Sequence, residues 1–124
     1  PVTPYRMNRI AVEHLRENRI DRAESFISKA LDLNKNYIPA LFNLGYIDLK
    51  RNKTDRAIAI FNRILAINPL WPGVHFNLGR IYEKDGNFGQ AALHYGREIE
   101  INPGFKPARE SLQRIRKVQK YRTN

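Results

Sequence analysis

Three histidines, His14, His75 and His94, are the side chains of this sequence best suited to hold a metal or move a proton, and their spacing forms no metal-ligand pattern. His14 and His75 fall at positions that read as core, where a hydrogen-bonded structural histidine is expected. There is no cysteine, which removes disulfides, thiolate nucleophiles and thiolate-bound zinc together. The acidic residues are dispersed over polar faces, with no pair isolated in an apolar setting that would tune a general acid or base. Glycine-rich phosphate loops and nucleophile elbows are also missing. We therefore expect no catalysis, no metal and no cofactor.

What remains is recognition chemistry. The 124 residues carry a formal charge of +10, which favours solubility and acidic partners but says nothing about fold. The charge is uneven: residues 106–124 hold seven basic groups against one acidic group. Charges interrupt every apolar stretch, so no run approaches the roughly 20 residues that span a bilayer. The first residues are polar and show no leader segment. Because the chain starts at Pro1, it is expected to be a piece of a longer or processed protein. The cytoplasm is the expected compartment, although no residue decides it.

The elements that position these groups follow from an internal repeat. Residues 4–37, 38–71 and 72–105 align as three units of 34 residues without gaps. Ala23, Ala57 and Ala91 fall in register, as do Ile10, Leu44 and Leu78, and Ala11, Gly45 and Gly79. Leu33, Ile67 and Ile101 also coincide, each followed by asparagine, and each unit closes on an aromatic residue: Tyr37, Trp71, Phe105. These closing rings are expected to pack structurally.

Within a unit the apolar spacing is helical. Leu41, Leu44, Gly45 and Asp48 stand at i, i+3, i+4 and i+7, and a second run holds Ala57, Ile60, Phe61 and Ile64. Asn18, Asn52 and Gly86 break each unit into two helices, because these residue types tolerate the left-handed conformation that ends a helix. Asp21 and Asp55 suit the positive start of the helix that follows. The second helices stop near Asn34, Asn68 and Asn102, with Pro69 and Pro103 preventing continuation. Small residues, Gly45 and Gly79 facing Ala57 and Ala91, are expected to let the two helices approach to about 8–10 Å.

These columns resemble the tetratricopeptide repeat. The second unit carries the resemblance through Leu41, Leu44, Gly45, Ala57, Phe61, Ile64 and Pro69. The third does so through His75, Leu78, Gly79, Tyr82, Ala91, Tyr95 and Pro103, with Glu98 departing at a usually small position. The first is the weakest, with Met7, Ile10, Ala11, Ala23, Ile27 and Ala30, and Lys35 where proline is usual. The resemblance implies an all-α fold, a right-handed α-solenoid of antiparallel helix pairs: three repeats and a capping helix, about seven helices. The cap is expected from about Lys106 to Tyr121, with Ala108, Leu112 and Ile115 as its apolar stripe and a polar tail to residue 124.

In this family the first helices of successive repeats line a concave groove, so the resemblance also implies where a partner would sit. Asn8, Arg9 and Val12, then Phe42, Asn43 and Tyr46, then Phe76, Asn77 and Arg80 map to that surface, joined by Arg114 from the cap. Asn43 and Asn77 share a column, and a row of amides can pair with the backbone of an extended peptide. Phe42, Tyr46 and Phe76 would add apolar contact. Equally, the amides could bond within the scaffold and the two phenylalanines could pack between helices. The clamp of lysine, asparagine and arginine by which some members grip chaperone tails maps to Asn8, Val12, Asn43, Gly73 and Asn77, and only Asn43 matches. The expected function is a protein-interaction module holding an acidic or extended peptide. The alternatives are a structural stretch of a longer solenoid, a self-associating module, or a basic cap that tethers nucleic acid or membrane, the last disfavoured because Tyr121 is the one aromatic beside its cations.

Overall fold

A computed structural model describes residues 1–122, together with all of their side chains except that of Arg122. Thr123 and Asn124, the end of the expected tail, lie outside the described residues. Seven helices follow one another among the described residues: α1 (Pro4–Arg16), α2 (Ile20–Leu33), α3 (Ile38–Lys50), α4 (Thr54–Ile67), α5 (Val74–Lys84), α6 (Phe88–Ile101) and α7 (Lys106–Arg122). They form two compact units. The first, residues 1–67, contains α1 to α4, and the second contains α5 to α7.

Each hairpin closes by the same local chemistry. Asn18 and Asn52 sit at φ 58° and 59°, and Gly86 at 78°. Past them the chain folds back, with the N–H of Arg19, Lys53 and Asn87 donating to the carbonyls of His14, Asp48 and Tyr82. This six-to-one bond satisfies carbonyls that the helix end would leave orphaned. The asparagines that end α2 and α4 act through their side chains instead. Asn34 Oδ1 accepts from Asn36 N and Asn68 Oδ1 from Leu70 N, each at 3.0 Å. These side chains turn the backbone where proline or lysine follows.

The seam inside each hairpin differs from the small-against-small contact read from the sequence. Ala57 and Ala91 are fully buried, but what the glycines clear is space for a ring. A Cβ on Gly45 would lie 2.8 Å from Phe61, and one on Gly79 would lie 2.6 Å from Tyr95. In the first pair, Ile27 stands in the ring column and Ala11 in the glycine column, both fully buried. Glycine is thus present where the opposing side chain is aromatic.

In the first unit, Met7, Ala11, Ala23, Ile27, Ala30, Ala40 and Ile47 form one cluster, against which Leu15, Phe26, Tyr37 and Leu44 pack. In the second unit, Ala91, Tyr95 and Ile115 are buried together, with Phe76, Tyr82, Phe88 and Leu112 against them. α7 is therefore part of this core. Phe105 closes edge-on against Phe76, their centroids 5.0 Å apart. Trp71 is half-buried.

Glu98 explains its departure from the small residue usual in its column. It is fully buried, and its carboxylate accepts from the N–H of Gly73 (3.0 Å) and of Phe76 (3.0 Å). α5 begins after Gly73, which adopts φ 91° and offers no capping side chain. In the preceding repeat, Pro39 stands in the column of Gly73 and has no N–H, and Ile64 stands in the column of Glu98. The carboxylate answers orphan donors and the positive end of the helix dipole, which proline had reduced.

Removing this cap in Glu98→Ala should destabilise the protein by about 3 kcal/mol, since charge-assisted bonds and packing are lost together. Glu98→Gln, which keeps an acceptor oxygen, should lose about 1 kcal/mol. Urea unfolding of the three proteins checks the order, and equal midpoints would contradict the capping role.

Candidate functional site

The residues assigned to a binding surface lie on the first helix of each hairpin and on α7. In the first unit, α1 carries Asn8, Arg9 and Val12, while α3 carries Phe42, Asn43 and Tyr46. The structure brings Asn8 and Asn43 together: Asn43 Nδ2 donates to Asn8 Oδ1 at 2.9 Å. Asn8 is nearly buried, whereas Asn43 is half-buried. Among the described residues one N–H and the Oδ1 of Asn43 are left over, a donor and an acceptor side by side. Phe42 is half-buried with its edge toward Phe61, at a centroid distance of 5.8 Å.

Exposed rings and cations accompany the amide pair. The Arg9 guanidinium lies 5.9 Å from the Tyr5 ring centre, and the Lys50 ammonium 5.5 Å from that of Tyr46. All four side chains are exposed. Each cation stands four residues after its ring, one turn along the same helix face.

In the second unit, α5 carries Phe76, Asn77 and Arg80. Asn77 Nδ2 donates to Gly73 O at 2.8 Å, so this amide is tied to its own helix start and leaves its Oδ1. The Phe76 ring is half-buried against Tyr95 and Phe105, with the Arg80 guanidinium 5.8 Å from its centre. Arg114 is engaged inside the unit: Nε and Nη2 donate to the two oxygens of Glu83, each at 2.8 Å, and Nη2 also reaches Ser111 Oγ. Tyr95 donates its hydroxyl to the same Glu83 at 2.7 Å.

Sequence reasoning missed this Tyr95–Glu83–Arg114 network, although a signal was present. Tyr95 stands where the second repeat has Phe61, and Glu83 where it has Leu49. A buried hydroxyl requires a partner, so the two exchanges belong together. Arg114 and then Tyr95, by hydrogen bonding, hold the Glu83 carboxyl below its usual range against the opposing effect of burial. Burial, then Glu83, push the Tyr95 phenol up.

The histidines form a second matched pair. His75 and His94, both nearly buried, face each other with Nδ1 atoms 3.0 Å apart, and one ring donates to the other. His94 also stacks on Tyr82. Burial, then His75 and Arg97, push His94 down to about 4, and burial followed by Arg97 lowers His75. His14 stacks on Phe26 in the first unit. Among the described residues no three histidine, aspartate or glutamate side chains gather as metal ligands, and no helix is long and apolar enough to cross a membrane.

Similarity to known proteins decides the family. Tetratricopeptide repeat matches cover residues 14–75 and 72–105. The chain belongs to the tetratricopeptide repeat family. No curated protein matches it in sequence. Among solved structures, MamA shares the fold at a TM-score of 0.83 and 21% identity, over 97% of this chain and 70% of that one. The first tetratricopeptide domain of Spaghetti (RPAP3), bound to the HSP90 peptide SRMEEVD, does so at 0.84 and 16%, over 94% and 92%. The Arabidopsis OM64 tetratricopeptide domain does so at 0.82 and 18%, over 92% and 94%. The shared fold is an all-α tetratricopeptide solenoid, a scaffold whose members generally serve protein–protein interaction.

The histidine pair makes stability depend on pH. Both rings bind protons less readily folded than unfolded, so protons drive unfolding below the ordinary histidine value of 6.5 and on down to about 4. Stability should be full near pH 7 and fall by about 2 kcal/mol by pH 5 from His94 alone. The double variant His75→Leu/His94→Phe takes residue types already present as Leu41 and Phe26 in the same columns. Its melting temperature should be much flatter across this window. An equal slope in both proteins would show that the pair does not titrate with unfolding.

Proposed function

We propose that this chain is a protein-interaction module that holds an extended, acidic peptide segment of a partner. The contact face is that of α1 and α3 in the first unit, and α5 in the second unit offers, by itself, a face of the same kind. The observation that carries the reading is the Asn8–Asn43 pair accompanied by two exposed ring–cation pairs. The leftover donor and acceptor of Asn43 match a peptide backbone, which is itself one donor and one acceptor per residue. Arg9 and Lys50 lie over rings, without an acidic partner among the described residues, and are open to carboxylates. Asn77 and Arg80 offer a similar pair of groups on α5.

The residues assigned from sequence enter with different weights. Tyr46, Arg9 and Arg80 are exposed and can meet a ligand directly, whereas Val12, Phe42 and Phe76 supply half-buried apolar area. Asn8 acts through Asn43, which it orients. Arg114 is committed to Glu83 and retains only its Nη1 donors. The Spaghetti neighbour holds a peptide with three acidic residues, SRMEEVD, which supports the class of ligand. Of the chaperone-clamp positions only Asn43 is matched here, so a chaperone tail is not the expected ligand.

The test is capture of partners by the wild-type chain and two double variants, followed by titration of the responsible peptide. Asn43→Ala/Asn77→Ala removes the amides, and Tyr46→Ala/Arg80→Ala removes exposed side chains without touching the core. Both should lose the same partners, with affinity falling by about tenfold or more. Retention of all partners by both variants would contradict the reading, as would submicromolar binding of a chaperone tail.

A further inference from the structure

α7 occupies the place of a first helix in a fourth repeat, and its two sides differ in kind. Ala108, Leu112 and Ile115 stand in the columns of Ala40, Leu44 and Ile47 on α3, and of Val74, Leu78 and Ile81 on α5. Ala108 and Ile115 are fully buried. The other side falls in the columns that receive a second helix elsewhere. On α3 one of these is Gly45, against Phe61 of α4. On α5 they are His75, Gly79 and Tyr82, which meet His94 and Tyr95 of α6. On α7 the same columns hold Arg109, Gln113 and Arg116, all exposed.

The helix also continues where the others end. Lys120 stands in the column of Asn18, Asn52 and Gly86, and remains helical instead of turning back. Arg109, Gln113, Arg116 and Lys120 thus form one straight stripe of roughly 16 Å, with Lys117 beside it. Arg116 and Lys117 have no ion pair among the described residues. Arg109 uses Nη1 on Pro103 O, and Lys106 at the start of the stripe is partnered by Glu110.

We propose that this face of α7 docks an acidic helix of a partner protein. A helix fits because the equivalent columns of α1, α3 and α5 each receive one. Acidity is required because long cations stand on this face: Arg109 where the other first helices hold Met7, Leu41 and His75, and Arg116 where they hold His14, Asp48 and Tyr82. Gln113 in the glycine column prevents a ring from seating as Phe61 and Tyr95 do, so the visiting helix stands further off and meets the cations through carboxylates. Nucleic acid is disfavoured because Tyr121 is the one exposed ring near the stripe, and stacking carries single-strand binding. A membrane surface is disfavoured because no bulky apolar row flanks the cations.

The test uses the full chain and a short alanine-based helical peptide with glutamates along one face, its affinity read by fluorescence anisotropy. The control peptide has the same composition with glutamates scattered around the helix. The one-faced peptide should bind about tenfold tighter or better than the control, and weaken with salt. Arg109→Glu/Arg116→Glu/Lys117→Glu should abolish the preference. The milder Arg116→Gln/Lys117→Gln, which breaks no hydrogen bond or ion pair among the described residues, should reduce it with unchanged melting temperature. Tyr46→Ala/Arg80→Ala should leave it intact, which separates this surface from the peptide-binding face proposed above. Equal affinity for the two peptides would overturn the proposal. So would tighter, α7-dependent binding of oligouridine or of phosphatidylserine vesicles.

Discussion

The contact on which each hairpin of the second and third repeats depends is an aromatic ring lying where a Cβ would otherwise be. Phe61 presses on Gly45 and Tyr95 on Gly79, closer than any side chain there would allow. Because the ring fills the seam, the two helices meet at a fixed distance and rotation. The rotation decides which columns face inward and which are offered to a partner. Asn43, one residue before Leu44 and two before Gly45, reaches Asn8 because α3 is held in that orientation by the seam and by the Ala40 and Ile47 contacts. The amide pair is therefore a consequence of packing on the opposite side of its helix.

The second unit shows what happens when polar groups enter such a seam. Every intruding group found there has a partner in the same unit: Tyr95 and Arg114 on Glu83, His75 on His94, and Glu98 on the backbone that begins α5. Replacing one residue of a pair without the other would strand a buried polar atom, which costs more than the bond contributes. The first unit has an exception. Asp48 is almost fully buried, its Oδ1 is 4.0 Å from Arg56, and its Oδ2 has no partner among the described residues. His14 and Tyr82, its equivalents, stack on rings instead. Asp48 is thus a place where the scaffold gives up stability.

Register and periodicity made the helices, their breaks and the apolar columns legible, because these depend on neighbours within one turn or one hairpin. Asn18, Asn52 and Gly86 could be read directly, since a left-handed residue is a local demand. The seam was read in part: the small residues were identified, but not that glycine tracks the ring in a column sixteen residues on. Partnerships between helices were not legible one residue at a time. Asn43 and Asn77 share a column, yet one bonds across to α1 and the other back to its own helix start; Asn8, the acceptor for Asn43, has Phe42 in its column one repeat on, which offers no acceptor. Arg114 taken alone reads as a surface cation, and its commitment follows from Glu83 standing in the place of Leu49. Reading columns as coupled pairs would have exposed both.

A double-mutant cycle on Gly45 and Phe61, followed by urea unfolding, tests the seam most directly. In an unobstructed helix interior, Gly→Ala stabilises by roughly 0.5–1 kcal/mol. Against the Phe61 ring, Gly45→Ala should instead destabilise by about 2 kcal/mol. In a Phe61→Leu background, which mimics the Ala11–Ile27 seam, the same substitution should become neutral or stabilising, leaving a coupling of at least about 1 kcal/mol. If Gly45→Ala stabilised the wild-type chain, or the two substitutions were additive, the ring would not set the seam and the orientation of the binding helices would need another cause.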